Sequence, residues 1–402
     1  MSAKARPYQQ KINDYSLRVH KENHPKKRET SDRVPPMSDP KRFWLKFFSL
    51  ALMLLGLPLL GVSLAGYAVK PYLEFPPQTR FIQHAPFSWK AFVFFALLIL
   101  ASVLPLVIAG IRSYRKNASQ TATHAFPFWG WIGLFTGVVA WILAWTRFSW
   151  FTDYQPFTFS PLWFSYIVVV NALCWRRTGH SLMTDRPGFF LLLFPTSAAF
   201  WWFFEYLNRF VQNWYYVGVE FSAWSYFWYA TLPFSTVLPA VLSTCRYLEG
   251  DGWIHRAYAS VRPISLPKPV PTAGVVLLLS ALGLAGIGVW PNYLFSLVWV
   301  CPLLIIVCLQ TLMKERHIFS QMAAGGWSIA VAAVLAALVC GGFWEMWNYA
   351  SLAKWKYSIP LVHRFPIFEM PLLGYAGYLP FGLECLAIGQ MLDQLFDKNR
   401  RL

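Results

Sequence analysis

Long apolar runs, each close to the length of a membrane span, recur along this 402-residue chain. A helix needs about 20 mainly apolar residues to cross the hydrocarbon core of a bilayer. Because only 13% of the residues are charged, the chain has too little polar surface to cover a water-soluble core. The sequence therefore predicts an all-α, multi-pass transmembrane helical bundle. We expect about ten spans, over residues 43–69, 89–111, 128–146, 159–175, 188–206, 223–244, 272–290, 294–313, 323–344 and 371–392.

The positions of the basic residues decide how the net charge of +17 is interpreted. Such a charge is compatible with a nucleic-acid partner. Most Lys and Arg residues, however, lie in the first 42 residues, in alternate short loops and at the carboxyl terminus. This is the positive-inside pattern of a membrane protein. It predicts an inner (plasma) membrane protein with both termini in the cytoplasm, membrane lipid as a partner and no nucleic-acid partner.

Short motifs occur twice, in the same order, about 140 residues apart. The pairs are Phe159-Ser160-x-x-Trp163 with Phe295-Ser296-x-x-Trp299, Glu205-x-x-Asn208 with Glu345-x-x-Asn348, Trp214-x-Tyr216 with Trp355-x-Tyr357, and Leu232-Pro233-Phe234 with Leu379-Pro380-Phe381. They predict an internal repeat of four spans, which is parallel because an even number of spans leaves both copies facing the same way. The expected organisation is a disordered basic cytoplasmic tail (1–42), two leading spans (43–127) and two repeats (128–262 and 263–402).

Glu384 is the acidic residue that we expect deepest in the membrane. At about 1.5 Å per residue, it lies about 20 Å from the outer end of its predicted span. A carboxylate at that depth is costly, so the group is expected to be protonated, paired or facing a polar cavity. Glu384 is therefore a candidate catalytic acid or proton relay, and the alternative is a protonated side chain that only joins helices.

Two further acids, Glu205 and Glu345, each precede an asparagine by three residues, which places both side chains on one helical face. We expect both pairs near the external interface. With the aromatic motifs that follow, they would frame a polar pocket. Glu205 and Glu345 are further catalytic candidates, and the candidate substrate-binding residues are Asn208, Asn348, Trp214, Tyr216, Trp355 and Tyr357. Hydrogen bonding that ties one repeat to the other is the alternative.

The connector over 351–370 mixes basic and aromatic residues and is predicted to lie in the external interface. His363 and Arg364 are candidates there for contact with a substrate or with lipid headgroups. A solvated, lipid-facing loop is the alternative.

Motifs for metals and nucleotides are missing from the sequence. The six cysteines form no CxxC pair, and the eight histidines form no HExxH pair, so we predict no metal and no cofactor. There is also no GxxxxGK[ST] sequence, which argues against transport driven by nucleotide hydrolysis in this chain.

The second set of motifs has a defined order: Glu345 near a helix end, then Trp355-x-Tyr357, then Pro380 followed by Glu384. This order resembles the lycopene cyclase domain of carotenoid cyclases, over roughly 323–392 and to a lesser extent 188–244. The resemblance implies small membrane bundles used in duplicate and proton-initiated cyclisation of a long isoprenoid. Glu384 and Glu345 would be the proton donor and the stabiliser. That family has paired acids close behind its proline, whereas three residues separate Pro380 from a single glutamate here.

Three functions fit these features. The first is a membrane-embedded enzyme that uses acid–base chemistry on a lipid-soluble, isoprenoid- or carotenoid-like substrate. The second is a proton- or ion-coupled transporter or channel, with Glu384 as its ion site. The third is a non-catalytic membrane scaffold. The sequence leaves the substrate, the reaction and the oligomeric state open.

Overall fold

Helices dominate this computed structural model, which describes residues 40–114, 123–259 and 261–396. The helices are α1 (Pro40–Leu64), α2 (Trp89–Tyr114), α3 (Phe128–Trp145), α4 (Phe159–Thr178), α5 (Leu182–Asp185), α6 (Pro187–Val211), α7 (Ala223–Phe234), α8 (Val237–Glu249), α9 (Gly252–Tyr258), α10 (Pro269–Gly286), α11 (Pro291–Leu294), α12 (Leu297–Leu312), α13 (Ile318–Ala323), α14 (Trp327–Tyr349) and α15 (Tyr378–Phe396). The strands are β1 (Trp214–Val217), β2 (Lys354–Tyr357), β3 (Pro366–Ile367) and β4 (Met370–Pro371), and 3₁₀ turns cover Lys70–Tyr72, Ser149–Phe151, Gln155–Phe157 and Leu372–Gly377.

Eight helices of the described chain are long and apolar enough to cross a membrane. They are α1, α2, α3, α4, α6, α10, α14 and α15. Apolar side chains on the outer helices, such as Leu97 and Phe135, are exposed, as expected where lipid replaces water. The chain is therefore a multi-pass helical membrane protein, and the predicted fold class is confirmed at this level.

The other two predicted spans differ from continuous long helices. Residues 223–244 form α7 and α8, which are separated at Ser235 and Thr236. Pro239 contributes to the break because it has no N–H to donate back to the Ser235 carbonyl. The span predicted at 294–313 is α12, an apolar helix of 16 residues that contains Pro302. Ten spans thus stays a prediction.

Helix α8 lies in the centre of the bundle. Its first nine residues are all buried, and it packs against α4, α6, α14 and α15. The last two helices carry the candidate acids Glu345 and Glu384. Helix α8 is therefore buried on several sides, whereas a helix at the surface of a bundle buries only one apolar face.

Two stretches of the chain have a similar order of elements. The first contains α4, α5, α6, β1, α7 and α8, and the second contains α12, α13, α14, β2, a 3₁₀ turn and α15, with the additional strands β3 and β4 between β2 and the turn. Each short second helix begins with a capping box, Ser181 with Thr184 and His317 with Ser320. This likeness agrees with the order of the paired motifs, and the four-span repeat itself stays a prediction.

Strands β1 and β2 join the two stretches as an antiparallel pair, with Trp214 opposite Tyr357 and Tyr216 opposite Trp355. Each strand follows a long helix that ends in the Glu-x-x-Asn motif. The pairing therefore brings the four predicted aromatic residues together on one small sheet.

The ends of the chain lie largely outside the described residues. The predicted basic tail covers 1–42, and the description begins at residue 40. Helix α1 starts at Pro40, three residues before the predicted span. The predicted cytoplasmic location of both termini stays a prediction.

Candidate functional site

Glu205 is a fully buried carboxylate near the end of α6. Its Oε1 atom accepts hydrogen bonds from Trp201 Nε1 at 3.1 Å, Trp214 Nε1 at 3.0 Å and the Tyr216 hydroxyl at 2.6 Å. Trp201 is one helical turn earlier, and Trp214 and Tyr216 are alternate residues of β1, so their side chains share one face of the strand. The Glu205 Oε2 atom has no hydrogen-bond partner among the described residues.

Glu345 occupies a similar position near the end of α14 and is also fully buried. Its Oε1 atom accepts from the Tyr357 hydroxyl at 2.6 Å and the Tyr378 hydroxyl at 3.2 Å. Trp355 Nε1 donates to the Tyr357 oxygen at 2.8 Å. Within the described part of the chain, Glu345 Oε2 is again without a partner. Both acids therefore have one oxygen held by donors and one oxygen available to take up a proton.

Asn208 and Asn348 hold the strands that supply these donors. Asn208 accepts from the Asn213 amide at 2.7 Å and donates to the Trp214 carbonyl at 2.8 Å. Asn348 accepts from the Trp355 amide at 2.9 Å and donates to the Trp355 carbonyl at 2.8 Å. An asparagine side chain suits this role because it presents one acceptor and one donor group, as a peptide does. These contacts orient β1 and β2 relative to the two glutamates.

A cavity of about 400 Å³ lies beside the paired strands. Its lining includes Trp201, Trp214, Tyr216, Tyr226, Tyr229, Trp299, Trp344, Trp355, Tyr357 and Tyr378, together with Thr79 and apolar residues of α7. Glu205 and Glu345 are hydrogen-bonded to lining residues and thus lie directly behind the wall. Two hydroxyls of the lining, those of Tyr226 and Thr79, have no partner among the described residues.

The phenols of Tyr216 and Tyr357 stay protonated at ordinary pH. Burial raises the pKa of each well above its usual value, and the negative charge of the adjacent glutamate raises it further. A protonated phenol can donate to a carboxylate, which is the arrangement seen at both Glu205 and Glu345. The cavity wall therefore includes aromatic side chains that donate hydrogen bonds to the buried acids: Trp201, Trp214, Tyr216, Tyr357 and Tyr378.

Glu384 lies apart from this arrangement. It is fully buried on α15, six residues after Tyr378, and lies outside the described set that lines the cavity. Neither of its carboxyl oxygens has a hydrogen-bond partner among the described residues. The structure thus places Glu384 in the bundle interior, as the sequence predicts, without bringing it into the lining with the aromatic motifs.

His363 and Arg364 also lie outside the set of described residues around the cavity. His363 Nδ1 accepts from the Ile359 amide at 3.4 Å, and burial lowers the pKa of this imidazole. The Arg364 guanidinium lies 5.1 Å from the centre of the Phe87 ring. Both side chains therefore contact residues that lie outside the cavity lining.

Sequence reasoning missed several residues of the site, among them Trp201, Tyr226 and Tyr378. Trp201 precedes Glu205 by four residues, a spacing that could have identified it as a donor. Tyr378 directly precedes the second Leu-Pro-Phe motif, but nothing local indicates that it reaches Glu345. Tyr226 on α7 shows no signal in the sequence, because its place in the cavity depends on the break before α8.

The fold and this site define a multi-pass helical membrane protein with an aromatic cavity backed by two buried carboxylates. Among the described residues, no group of three or more His, Cys, Asp and Glu side chains is arranged to hold a metal ion. Comparison with known proteins finds no matching family model, curated protein or solved structure.

Proposed function

We propose that this protein is a membrane-embedded enzyme that acts by acid–base chemistry on a lipid-soluble substrate in the aromatic cavity. One observation carries the proposal. Glu205 and Glu345 each lie directly behind the cavity wall, with one carboxyl oxygen held by aromatic donors and the other unpartnered among the described residues. A positioned carboxyl with a free oxygen can accept or release a proton during a reaction.

The tyrosines connect the acids to the cavity. Tyr357 and Tyr378 are both bound to Glu345, and both line the cavity. A substrate could therefore give its proton to the oxygen of either phenol while that phenol passes its own proton to Glu345 Oε1, and the reverse steps would return the proton. The surrounding ring faces would stabilise positive charge that develops on the substrate.

The proposal includes a parallel repeat, which reciprocal contacts support. Trp163 packs 4.9 Å from Trp344, and Trp299 packs 5.0 Å from Phe204, as measured between ring centroids. Phe204 and Trp344 each directly precede the glutamate of their stretch. When two units are related by a two-fold axis, a contact from the first to the second is matched by its converse. The register of β1 with β2 has the same property.

The resemblance to lycopene cyclase domains supplies the proposed substrate class, an isoprenoid or a carotenoid-like molecule. Glu345 would then stabilise the reacting charge from behind Tyr357 and Tyr378. Glu384 was the expected proton donor, and its position outside the cavity lining favours Glu205 or Glu345 in that role. An inner-membrane location with cytoplasmic termini completes the proposal.

A proton-coupled transporter is the second candidate. The observation that favours it is Glu384, a carboxyl buried inside the bundle with no described partner for either oxygen. Ionisable groups at membrane depth are frequent in proton pathways.

The test compares lipids extracted from cells that lack the gene with those from cells carrying the wild type, Glu205→Gln, Glu345→Gln or Asp153→Asn. Asp153 is exposed, so its variant is a control for the loss of one acidic charge. We expect a lipid species that depends on the wild type and on Asp153→Asn, and that at least one glutamine variant fails to produce. Identical lipids in all cells, with proton-coupled uptake in vesicles that Glu384→Gln abolishes, would favour the transporter instead.

A further inference from the structure

We infer that the aromatic cavity recognises a positively charged centre on an apolar body, such as an alkylammonium group. The inference deepens the proposed function, on which it rests for the identity of the site. The positive centre is either permanent in the ligand or formed during reaction, because the same walls would bind both.

The walls provide ring faces for a cation. Five tryptophans and five tyrosines line the cavity. A cation close to an aromatic face is attracted by the quadrupole of the ring, and desolvation strengthens this attraction. Quaternary ammonium groups are typical ligands of such aromatic cages.

The acids behind the walls lack a compensating positive charge. Neither Glu205 nor Glu345 forms a salt bridge with another described residue. Arg209, one turn after Glu205, donates instead to the carbonyls of Pro71 and Glu74. A buried anion without a counter-charge is unfavourable, so a bound cation would offset part of that cost.

The positively charged side chain in the cavity lining, Lys354, already has binding partners. Lys354 lines the cavity but forms a salt bridge with Glu369 and donates to the Tyr349 carbonyl at 3.0 Å. Its charge is thus offset locally. An anionic ligand would have to compete with Glu369 for this amine, whereas a cation would lie against walls that are backed by two buried acids.

Helix α7 separates the cavity from the outer surface of the bundle. Tyr226, Tyr229 and Pro233 line the cavity, while Trp224 and Trp228 on the same helix are exposed. A single helix with one face on the cavity and one face on lipid suits a ligand whose apolar part comes from the bilayer. Tyr226, whose hydroxyl has no hydrogen-bond partner among the described residues, is one of the residues that line the cavity.

A matched ligand pair tests this inference. Phenyltrimethylammonium and tert-butylbenzene have nearly the same shape and differ in charge, and their binding to the purified full chain can be followed by tryptophan fluorescence against protein-free micelles. We expect about tenfold tighter binding of the cation, the preference that a cation–π contact and a nearby acid can supply.

Variants then locate the origin of the preference. In Glu205→Gln and Glu345→Gln, the amide oxygen keeps the aromatic donors, and the NH₂ group takes the place of an oxygen without a described partner. These variants should fold and lose most of the preference for the cation. Trp228→Phe alters only an exposed ring of α7 and should keep the preference.

Equal affinities for the two ligands in the wild type would overturn the inference, and so would a preference that survives both glutamine substitutions. The proposed enzyme would still stand in those cases if the lipid comparison succeeds. Conversely, selective cation binding with unchanged cellular lipids would uphold the ligand class and reject the enzyme.

Discussion

The Glu205 and Glu345 sites each supply hydrogen-bond donors to a buried carboxyl oxygen, but with partly different residues. In each, a buried glutamate is followed by a strand-holding asparagine and a Trp-x-Tyr strand whose tyrosine donates to the acid. At Glu205, two indoles add further donors, whereas at Glu345 the second donor is the phenol of Tyr378.

The position four residues before each glutamate explains this difference. Trp201 is there in the first site and donates to Glu205. In the second site, Gly341 takes that position, and a Cβ atom on it would lie 2.4 Å from the Tyr378 ring. The missing side chain makes room for the tyrosine that replaces it as donor. The comparison teaches that the site requires donors at the carboxyl oxygen, whichever helix supplies them.

We expect the largest loss of stability when Asn208 is replaced, and a smaller loss when Asn348 is replaced. Asn208→Ala should lower the free energy of unfolding by about 3 kcal/mol and Asn348→Ala by about 1.5 kcal/mol, because buried groups without partners cost about 1–3 kcal/mol each. The partners of Asn208, on Asn213 and Trp214, are buried, whereas Trp355 is half-buried. Denaturant titration in detergent measures both. An equal or reversed order would show that burial does not separate the two sites.

The glycine that admits Tyr378 should have the next largest effect. Gly341→Ala is expected to destabilise the protein by about 2 kcal/mol, since the new methyl group overlaps the ring and overpacking costs about 1–3 kcal/mol. Gly342→Ala is the matched control, because its Cβ would meet no described atom within 4 Å. That variant should be stabilising by about 0.5 kcal/mol, as alanine favours helix more than glycine does. Similar thermal midpoints for the two variants would contradict the account of Gly341.

Removal of single donors should have the smallest effect. Tyr378→Phe takes one of two donors from Glu345 and should cost about 1.5 kcal/mol, and Trp201→Phe takes one of three from Glu205 and should cost about 1 kcal/mol. We expect the larger cost for Tyr378→Phe because Glu345 would keep one donor, whereas Glu205 would keep two donors after Trp201→Phe. The same denaturant titration provides the values, with Trp228→Phe as a control for the loss of an exposed ring. A larger loss for Trp201→Phe would mean that its packing outweighs its hydrogen bond.

The sequence by itself determined the membrane character and several local relations. Whether a segment is buried in lipid depends mainly on its own residues, so apolar length predicted the helices without knowledge of their neighbours. Spacing of three residues placed Glu345 and Asn348 on one face of a helix. These relations act within one or two helical turns.

Only the tertiary structure decided which distant residues meet. The pairing of β1 with β2 and the hydrogen bond from Tyr378 to Glu345 both involve contacts that local periodicity does not specify. Glu384 illustrates the same limit, since its place on an apolar helix followed from the sequence but its separation from the cavity lining did not. The physical reason is that burial is a property of one segment, whereas a site depends on how several segments pack together.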